Sequence, residues 1–369
     1  MKLAFLHFWT LRLRRGVETM IISLANELGK QGVETSILTA RQTVHPLVQP
    51  SRSVHVYQFP TFRYFESSTI VPFYVANILR QRYDVVVTFF ADFGEGFALN
   101  TVRYFLPVKH VLYLTFPYEA APHRYHAYQR WHWGKTADLL LADASYTAGR
   151  GEEFLHRPVI NLPSGTDPDR FKPDISKRAS MRERLGFRDE EIVLLNVSAL
   201  EERKGTWRVI EALPQIIKHI PKMRYLILGE GPHKQFLQNQ VNELNLDQHV
   251  LFAGSTSDLV PFYNAADIFV MLSEGEAGSV ALLEAMASGL PVVVSQAGGF
   301  SEVVNSNNGY VVDMFDTNTL CEVIVNLAQD YHLRLRLGND GRQKVIAHYS
   351  WENIAARLVR LVKDEGMAV

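Results

Sequence analysis

Two glutamates eight positions apart, Glu276 and Glu284, lie in the segment Ser273–Gly299, SEGEAGSVALLEAMASGLPVVVSQAGG. The small-residue turn Ala277-Gly278-Ser279 separates Glu276 from an apolar run that predicts a helix starting near Val280. Small residues let backbone N–H groups approach an anion closely, and a helix N-terminus adds about half a positive charge. The pattern reads as a phosphate cradle without a Walker lysine. Glu284, just over one turn into the helix, suits the bridging of a sugar's adjacent hydroxyls. Glu276, on the preceding loop, is within reach of a different group.

The elements that must position these residues are legible as short apolar runs alternating with helical-period segments, the signature of parallel sheets. In the first half the predicted strands are Leu3–Phe8, Glu34–Thr39, Asp84–Phe89, Val108–Leu114 and Asp138–Ala142. A turn around Gly16 leads to a helix over Glu18–Lys30. Near Pro158–Pro173 the texture becomes RPVINLPSGTDPDRFKPD, with four prolines and no sustained period, the best place for a domain crossing. A second series comes after it: strands Ile192–Val197, Met223–Leu228, Val250–Phe252, Asp267–Leu272 and Pro291–Val294, and a helix over Thr206–His219. The chain ends in helices Thr317–Gln329, Leu333–His348 and Trp351–Asp364. The fold class is therefore α/β: two doubly wound, Rossmann-like domains facing across a cleft, with ligands beyond the carboxyl ends of strands. The boundaries are 1–168 and 169–349.

Taken together, the motifs make the chain resemble the retaining glycosyltransferases of GT-B fold, family 4, over nearly its whole length. The glutamate pair is joined by Gly16-Val17-Glu18 after the first strand, Leu162-Pro163-Ser164-Gly165-Thr166-Asp167 at the crossing, and Arg203-Lys204-Gly205. Leu228-Gly229-Glu230-Gly231-Pro232, Gly298-Gly299-Phe300-Ser301-Glu302 and Tyr349-Ser350-Trp351 complete the order. The resemblance implies that Lys204 neutralises a donor diphosphate, to which Gly278, Ser279 and Val280 offer backbone N–H groups. Glu284 would hold the ribose hydroxyls and Glu276 the transferred hexose, while Gly16 lets a first-domain loop close over the phosphates. Arg203 and Gly229 belong with the donor group. The last helix, about 350–369, would pack back on the first domain. The implied activity is transfer of a hexose, glucose from UDP-glucose within the family's usual range, to a glycan or lipid-linked acceptor. No cofactor or metal is required.

The chain departs from the family twice. Ser198-Ala199-Leu200 stands where a Gly-Arg-Leu stretch usually supplies a second cation, and Thr115-Phe116-Pro117-Tyr118 stands where a histidine is common. Acceptor-side candidates are Arg15, Thr115, Tyr118 and His123. Two other functions would use the same cradle: a sugar-nucleotide epimerase, and a non-catalytic binder of sugar nucleotides or glycans. The basic and aromatic stretch His123–Lys135 reads either as a helix packed on the sheet or as one that meets a membrane surface or stacks on sugars. Asp167-Pro168-Asp169 spells a metal-binding Asp-x-Asp but sits in the Pro-rich crossing, where turn residues are the better account. His123 and His126 lack a third ligand. Gly94-Glu95-Gly96 lacks the rest of a dinucleotide fingerprint.

Composition closes off several classes. Net charge is −1 with 38 Lys and Arg against 39 Asp and Glu, which excludes a dedicated nucleic-acid binder. One cysteine, Cys321, excludes an intramolecular disulfide and a cysteine zinc site, and points to a reducing setting; the expected location is cytoplasmic, either free or peripheral at the inner face of the membrane. No apolar run reaches the roughly 20 residues of a membrane span. Arg12, Arg14 and Arg15 follow the apolar start where a signal-peptide cleavage site would need small residues.

Overall fold

A computed structural model describes residues 1–13, 16–46, 48–61, 69–89, 93–115, 136–276 and 278–364. The chain forms two units, Met1–Gly165 with the segment from Trp351 onward, and Thr166–Ser350. Each is built on one parallel sheet.

In the first unit the strands are β1 (Lys2–Leu6), β2 (Glu34–Ala40), β3 (Val54–Phe59), β4 (Val85–Phe89), β5 (Lys109–Leu114), β6 (Leu139–Ala142) and β7 (Ile160–Asn161), in the order β3-β2-β1-β4-β5-β6-β7. In the second they are β8 (Ile192–Val197), β9 (Met223–Leu228), β10 (Val250–Gly254), β11 (Ile268–Met271), β12 (Val292–Ser295) and β13 (Gly309–Val312), in the order β10-β9-β8-β11-β12-β13. The central strands read VVVTF, LLLA, IFVM and VVVS and are buried along their whole length. Such uninterrupted apolar runs are what a sheet covered by helices on both faces demands. Both units are thus doubly wound, the class expected from the alternating pattern.

Three strands escape the sequence reading. β3, VHVYQF, is a half-exposed edge strand with polar residues interspersed, β7 has two residues and β13 four. The helix expected over Glu18–Lys30 already includes Gly16 among the described residues, Gly16–Lys30. The helix Trp351–Asp364 buries Trp351, Ile354, Ala355 and Leu358 in one core with Leu3, Phe5 and Met20 of the first unit. The Lys109 ammonium caps its end by bonding the Val362 carbonyl at 2.7 Å.

In the second unit, Asp267 joins the two central strands β8 and β11. Its Oδ2 accepts from the Val193 amide at 2.8 Å and from Arg182 at 2.6 Å, and its Oδ1 accepts from Arg178 at 2.7 Å. Its own amide bonds the Val193 carbonyl, so the start of β11 is locked to the start of β8. Arg182 is 1% exposed. Removing the carboxylate would strand a buried guanidinium, a loss of about 3–5 kcal/mol. Asp267→Ala should therefore shift the urea unfolding transition of this unit by that amount. A shift below about 1 kcal/mol would mean the pair is incidental.

Candidate functional site

Strands β8 and β11 are neighbours although β9 and β10 intervene in sequence, so the chain leaves their carboxyl ends in opposite directions. That divergence opens a crevice beyond the carboxyl ends of the two strands, the usual ligand position in such folds. Two loops meet there, 198–205 after β8 and 272–276 after β11. Gly205, at φ +67°, allows the first to touch the second: a Cβ there would fall 2.0 Å from the Leu272 carbonyl oxygen. Gly298, at φ +66°, plays the same part behind Glu276, whose carbonyl oxygen would be 2.1 Å from an added Cβ. Gly229 lies against the Ser198 carbonyl, so close backbone packing accounts for a glycine at that candidate position.

At the centre of the crevice the Lys204 ammonium bonds Glu276 Oε1. Ser273 Oγ donates to the same oxygen at 3.0 Å, and the Arg203 guanidinium lies 3.4 Å away. Lys204 and Glu276 are each 12% exposed, enough for a ligand to reach them and little enough to strengthen their attraction. Arg203 is divided between this carboxylate and Glu201 at 2.9 Å, on a side chain that is 46% exposed. The Arg203 carbonyl accepts from the Glu274 amide at 2.8 Å, tying the loops together through backbone as well.

Beside the pair, the helix Val280–Ala287 starts where the sequence places it. Ser279 is its N-cap, with Oγ accepting from the Leu282 amide at 3.3 Å. The remaining first-turn amides have no partner within the helix, by the geometry of every helix start. Gly278, Ser279 and Val280 stand at this helix start and follow Glu276 closely in sequence. Glu284 projects from the next turn and is buried. Its Oε2 lies 2.9 Å from the Tyr263 hydroxyl. Sequence reasoning missed Tyr263, Ser273 and Asp267, because nothing local marks a tyrosine twenty-one residues upstream as a carboxylate's partner.

Burial pushes the Glu284 carboxyl up to about 7; the Tyr263 hydrogen bond and the nearby Arg170 charge oppose that rise. The ordinary value is 4.5, so between there and about 7 the folded chain keeps a proton that the unfolded chain releases. Stability must fall as pH rises through that window, by up to about 1.4 kcal/mol per pH unit. Glu284→Gln should flatten this slope in urea unfolding measured between pH 5 and 7.5. An unchanged slope would mean that Glu284 is ionised throughout.

The remaining candidates belong to the first unit. Gly16 is exposed, its backbone has no positive φ, and an added Cβ would meet nothing within 4 Å. Thr115, at the end of β5, is buried and its Oγ1 has no partner among the described residues. Arg15, Tyr118 and His123, with the whole stretch His123–Lys135, lie outside the described residues. Glu95 of the Gly94-Glu95-Gly96 run is buried in the first turn of the helix Phe93–Arg103, where it accepts from the Phe8 amide at 2.7 Å. Asp167 closes a turn by accepting from the Asp169 and Arg170 amides, each at 3.0 Å. Among the described residues no helix is long and apolar enough to cross a membrane.

Residues 177–344 match the family described as glycosyl transferases group 1, and residues 14–170 match glycosyltransferase family 4. A GDP-mannose-dependent alpha-(1-6)-phosphatidylinositol monomannoside mannosyltransferase of Mycolicibacterium smegmatis is 33% identical over 241 residues, 62% of this chain and 63% of that protein. The GDP-mannose-dependent monoacylated alpha-(1-6)-phosphatidylinositol monomannoside mannosyltransferase of Corynebacterium glutamicum is 33% identical over 63% of this chain and 64% of that protein. The matches thus span a little under two thirds of these curated relatives. Among solved structures, sucrose-phosphate synthase from Thermosynechococcus elongatus superposes with a TM-score of 0.83 at 21% identity over 100% of both chains. Anabaena HepE in complex with UDP-glucose superposes with 0.83 at 18% identity, over 99% of this chain and 100% of that one. With the two parallel sheets, these likenesses establish the GT-B fold.

Proposed function

The chain belongs to the group 1 glycosyltransferases, and from that premise we propose that it moves a hexose from a nucleoside-diphosphate sugar to a glycan or lipid-linked acceptor with retention at the anomeric carbon. The observation that carries this reading is the Lys204–Glu276 pair at the β8–β11 crevice, beside the start of the helix Val280–Ala287. The reaction requires a diphosphate to depart from an anomeric carbon, so negative charge grows on the leaving oxygen. A lysine and helix-end amides aimed at that oxygen supply the electrostatic stabilisation that is usually the largest catalytic contribution. An ammonium has three protons, so Lys204 can keep Glu276 in place and still donate to a phosphate oxygen.

In this scheme Glu276 orients the hexose and steadies positive charge at the reacting carbon, and Glu284 accepts from the ribose hydroxyls. The acceptor hydroxyl attacks from the face the phosphate leaves, and a departing phosphate oxygen takes its proton. No side chain serves as a covalent nucleophile. The donor is the point at which the relatives redirect the sequence reading. Their names specify GDP-mannose, which supports GDP-mannose over UDP-glucose as donor, and a phosphatidylinositol-linked acceptor supports a lipid-linked one here.

Calorimetry with GDP and UDP, followed by turnover of GDP-mannose and UDP-glucose, tests the proposal. Lys204→Ala should weaken nucleoside-diphosphate binding by about 10- to 150-fold, the worth of one charge-assisted contact, about 1.5–3 kcal/mol. Glu276→Gln should leave that affinity at or above wild type, since Lys204 is no longer neutralised, while lowering kcat. Unchanged affinity in Lys204→Ala would remove the lysine from the site. Interconversion of the donor sugar would identify an epimerase instead, and binding without turnover or slow hydrolysis would identify a binder.

A further inference from the structure

The Tyr263 hydroxyl stands between two acceptors, 2.9 Å from Glu284 Oε2 and 3.1 Å from the Ala281 carbonyl oxygen. A phenol has one proton to give. If it goes to Ala281, the contact with Glu284 is a hydrogen bond only when Glu284 is itself protonated and donates. If it goes to Glu284, that side chain is satisfied as a carboxylate. The ring cannot swing away: Tyr263 is 0% exposed and is packed edge-on against Phe171 at 5.7 Å and tilted against Phe269 at 6.3 Å. Only the hydroxyl hydrogen is free to turn.

We propose that Tyr263 is a positioning residue of the donor site, a proton switch whose hydroxyl turns from Ala281 to Glu284 as the donor binds and one proton leaves Glu284 for solvent. The inference rests on the reading of Glu284 as the ribose-binding carboxylate. A diol bound through its hydroxyls donates protons, and a carboxylate accepts at both oxygens whereas a carboxylic acid must spend one of them as a donor. Binding therefore selects the ionised form, and the turned Tyr263 hydroxyl stabilises it. The balance is one proton released, with no covalent bond made or broken at either side chain beyond that O–H.

The charged groups around the switch are engaged elsewhere: on the helix Ile175–Leu185, which packs on Val260–Ala265, Arg178 and Arg182 bond the carbonyls of residues 264–266 and pair with Asp267. The helix Val280–Ala287 has no other titratable residue, and Tyr263 is the only one in its own helix, Val260–Ala265. Arg170 is the charge that acts on Glu284 from the segment before the helix Ile175–Leu185. On the helix Tyr331–His348, which packs on Val280–Ala287, Arg342 bonds the Phe171 and Ala287 carbonyls, and Lys344 bonds those of Glu302 and Val303. Lys204 is engaged with Glu276. Burial, which lifts the Glu284 carboxyl to about 7, keeps the protonated state populated near neutrality.

GDP-mannose, with UDP-glucose as second probe, suits the test because its diphosphate diester does not titrate near neutrality. Calorimetry of the full chain in buffers of different ionisation enthalpy should show proton release at pH 6 that vanishes by pH 8.5. Affinity should rise with pH, up to tenfold per unit on the acid side. Glu284→Gln should bind more weakly with no proton release. Tyr263→Phe, which keeps the ring, should move the midpoint to higher pH, so that affinity drops severalfold at pH 7 and returns towards wild type at pH 9. Without any ligand, the pH slope of urea stability should move the same way in that variant. A loss in Tyr263→Phe that is equal at every pH, or a wild-type profile, would overturn the switch alone. Wild-type affinity in Glu284→Gln, or failure of both donors to bind, would overturn the donor-site reading beneath it.

Discussion

An ammonium and a carboxylate held together beyond the carboxyl ends of two central parallel strands, Lys204 and Glu276, impose most of what is specific about the second unit. The two residues are 72 positions apart and can meet only because β8 and β11 lie side by side. That adjacency depends on Asp267, which binds two arginines and the Val193 amide where the strands begin. The pair also requires loops short enough to touch, which is why glycines stand at 205 and 298 with no room for a side chain. Core packing, buried charge and loop geometry thus converge on one contact.

The pair explains how a site can favour an anion without being an isolated positive patch. Lys204 is mostly buried, and an unpaired ammonium there would carry a desolvation cost of several kcal/mol. Glu276 offsets it in the free protein and remains beside the reacting sugar in the proposed complex. Glu284 answers a related demand by other means: among the described residues its side chain bonds the Tyr263 phenol, with Arg170 acting as a further charge, and burial drives its carboxyl up. Two glutamates eight residues apart therefore sit in opposite electrostatic settings, one salt-bridged and one poised to give up a proton.

Much of this was legible in the sequence. The central strands announced themselves as unbroken apolar runs, because a strand buried on both faces has no polar alternation to confuse with anything else. β3 did not, since an edge strand mixes polar and apolar residues, and β7 and β13 are too short to carry a period. Gly16 looked like part of a turn because glycine often marks one, yet it lies within the helix Gly16–Lys30. The helix start at Val280 was readable from small residues before an apolar run. The salt bridge and the Tyr263–Glu284 contact were not, for both are made by residues distant in sequence and brought together by topology alone. The acceptor candidates Arg15, Tyr118 and His123 stay at the level of sequence.

The central claim is that Lys204 serves Glu276 and a donor diphosphate from one ammonium group. A crystal structure of the chain with GDP-mannose tests it most directly. The expected result is a diphosphate oxygen within hydrogen-bond distance of Lys204 Nζ, at the start of the helix Val280–Ala287, with Glu276 turned towards the sugar. A diphosphate bound elsewhere, with Lys204 still engaged by Glu276 alone, would contradict it.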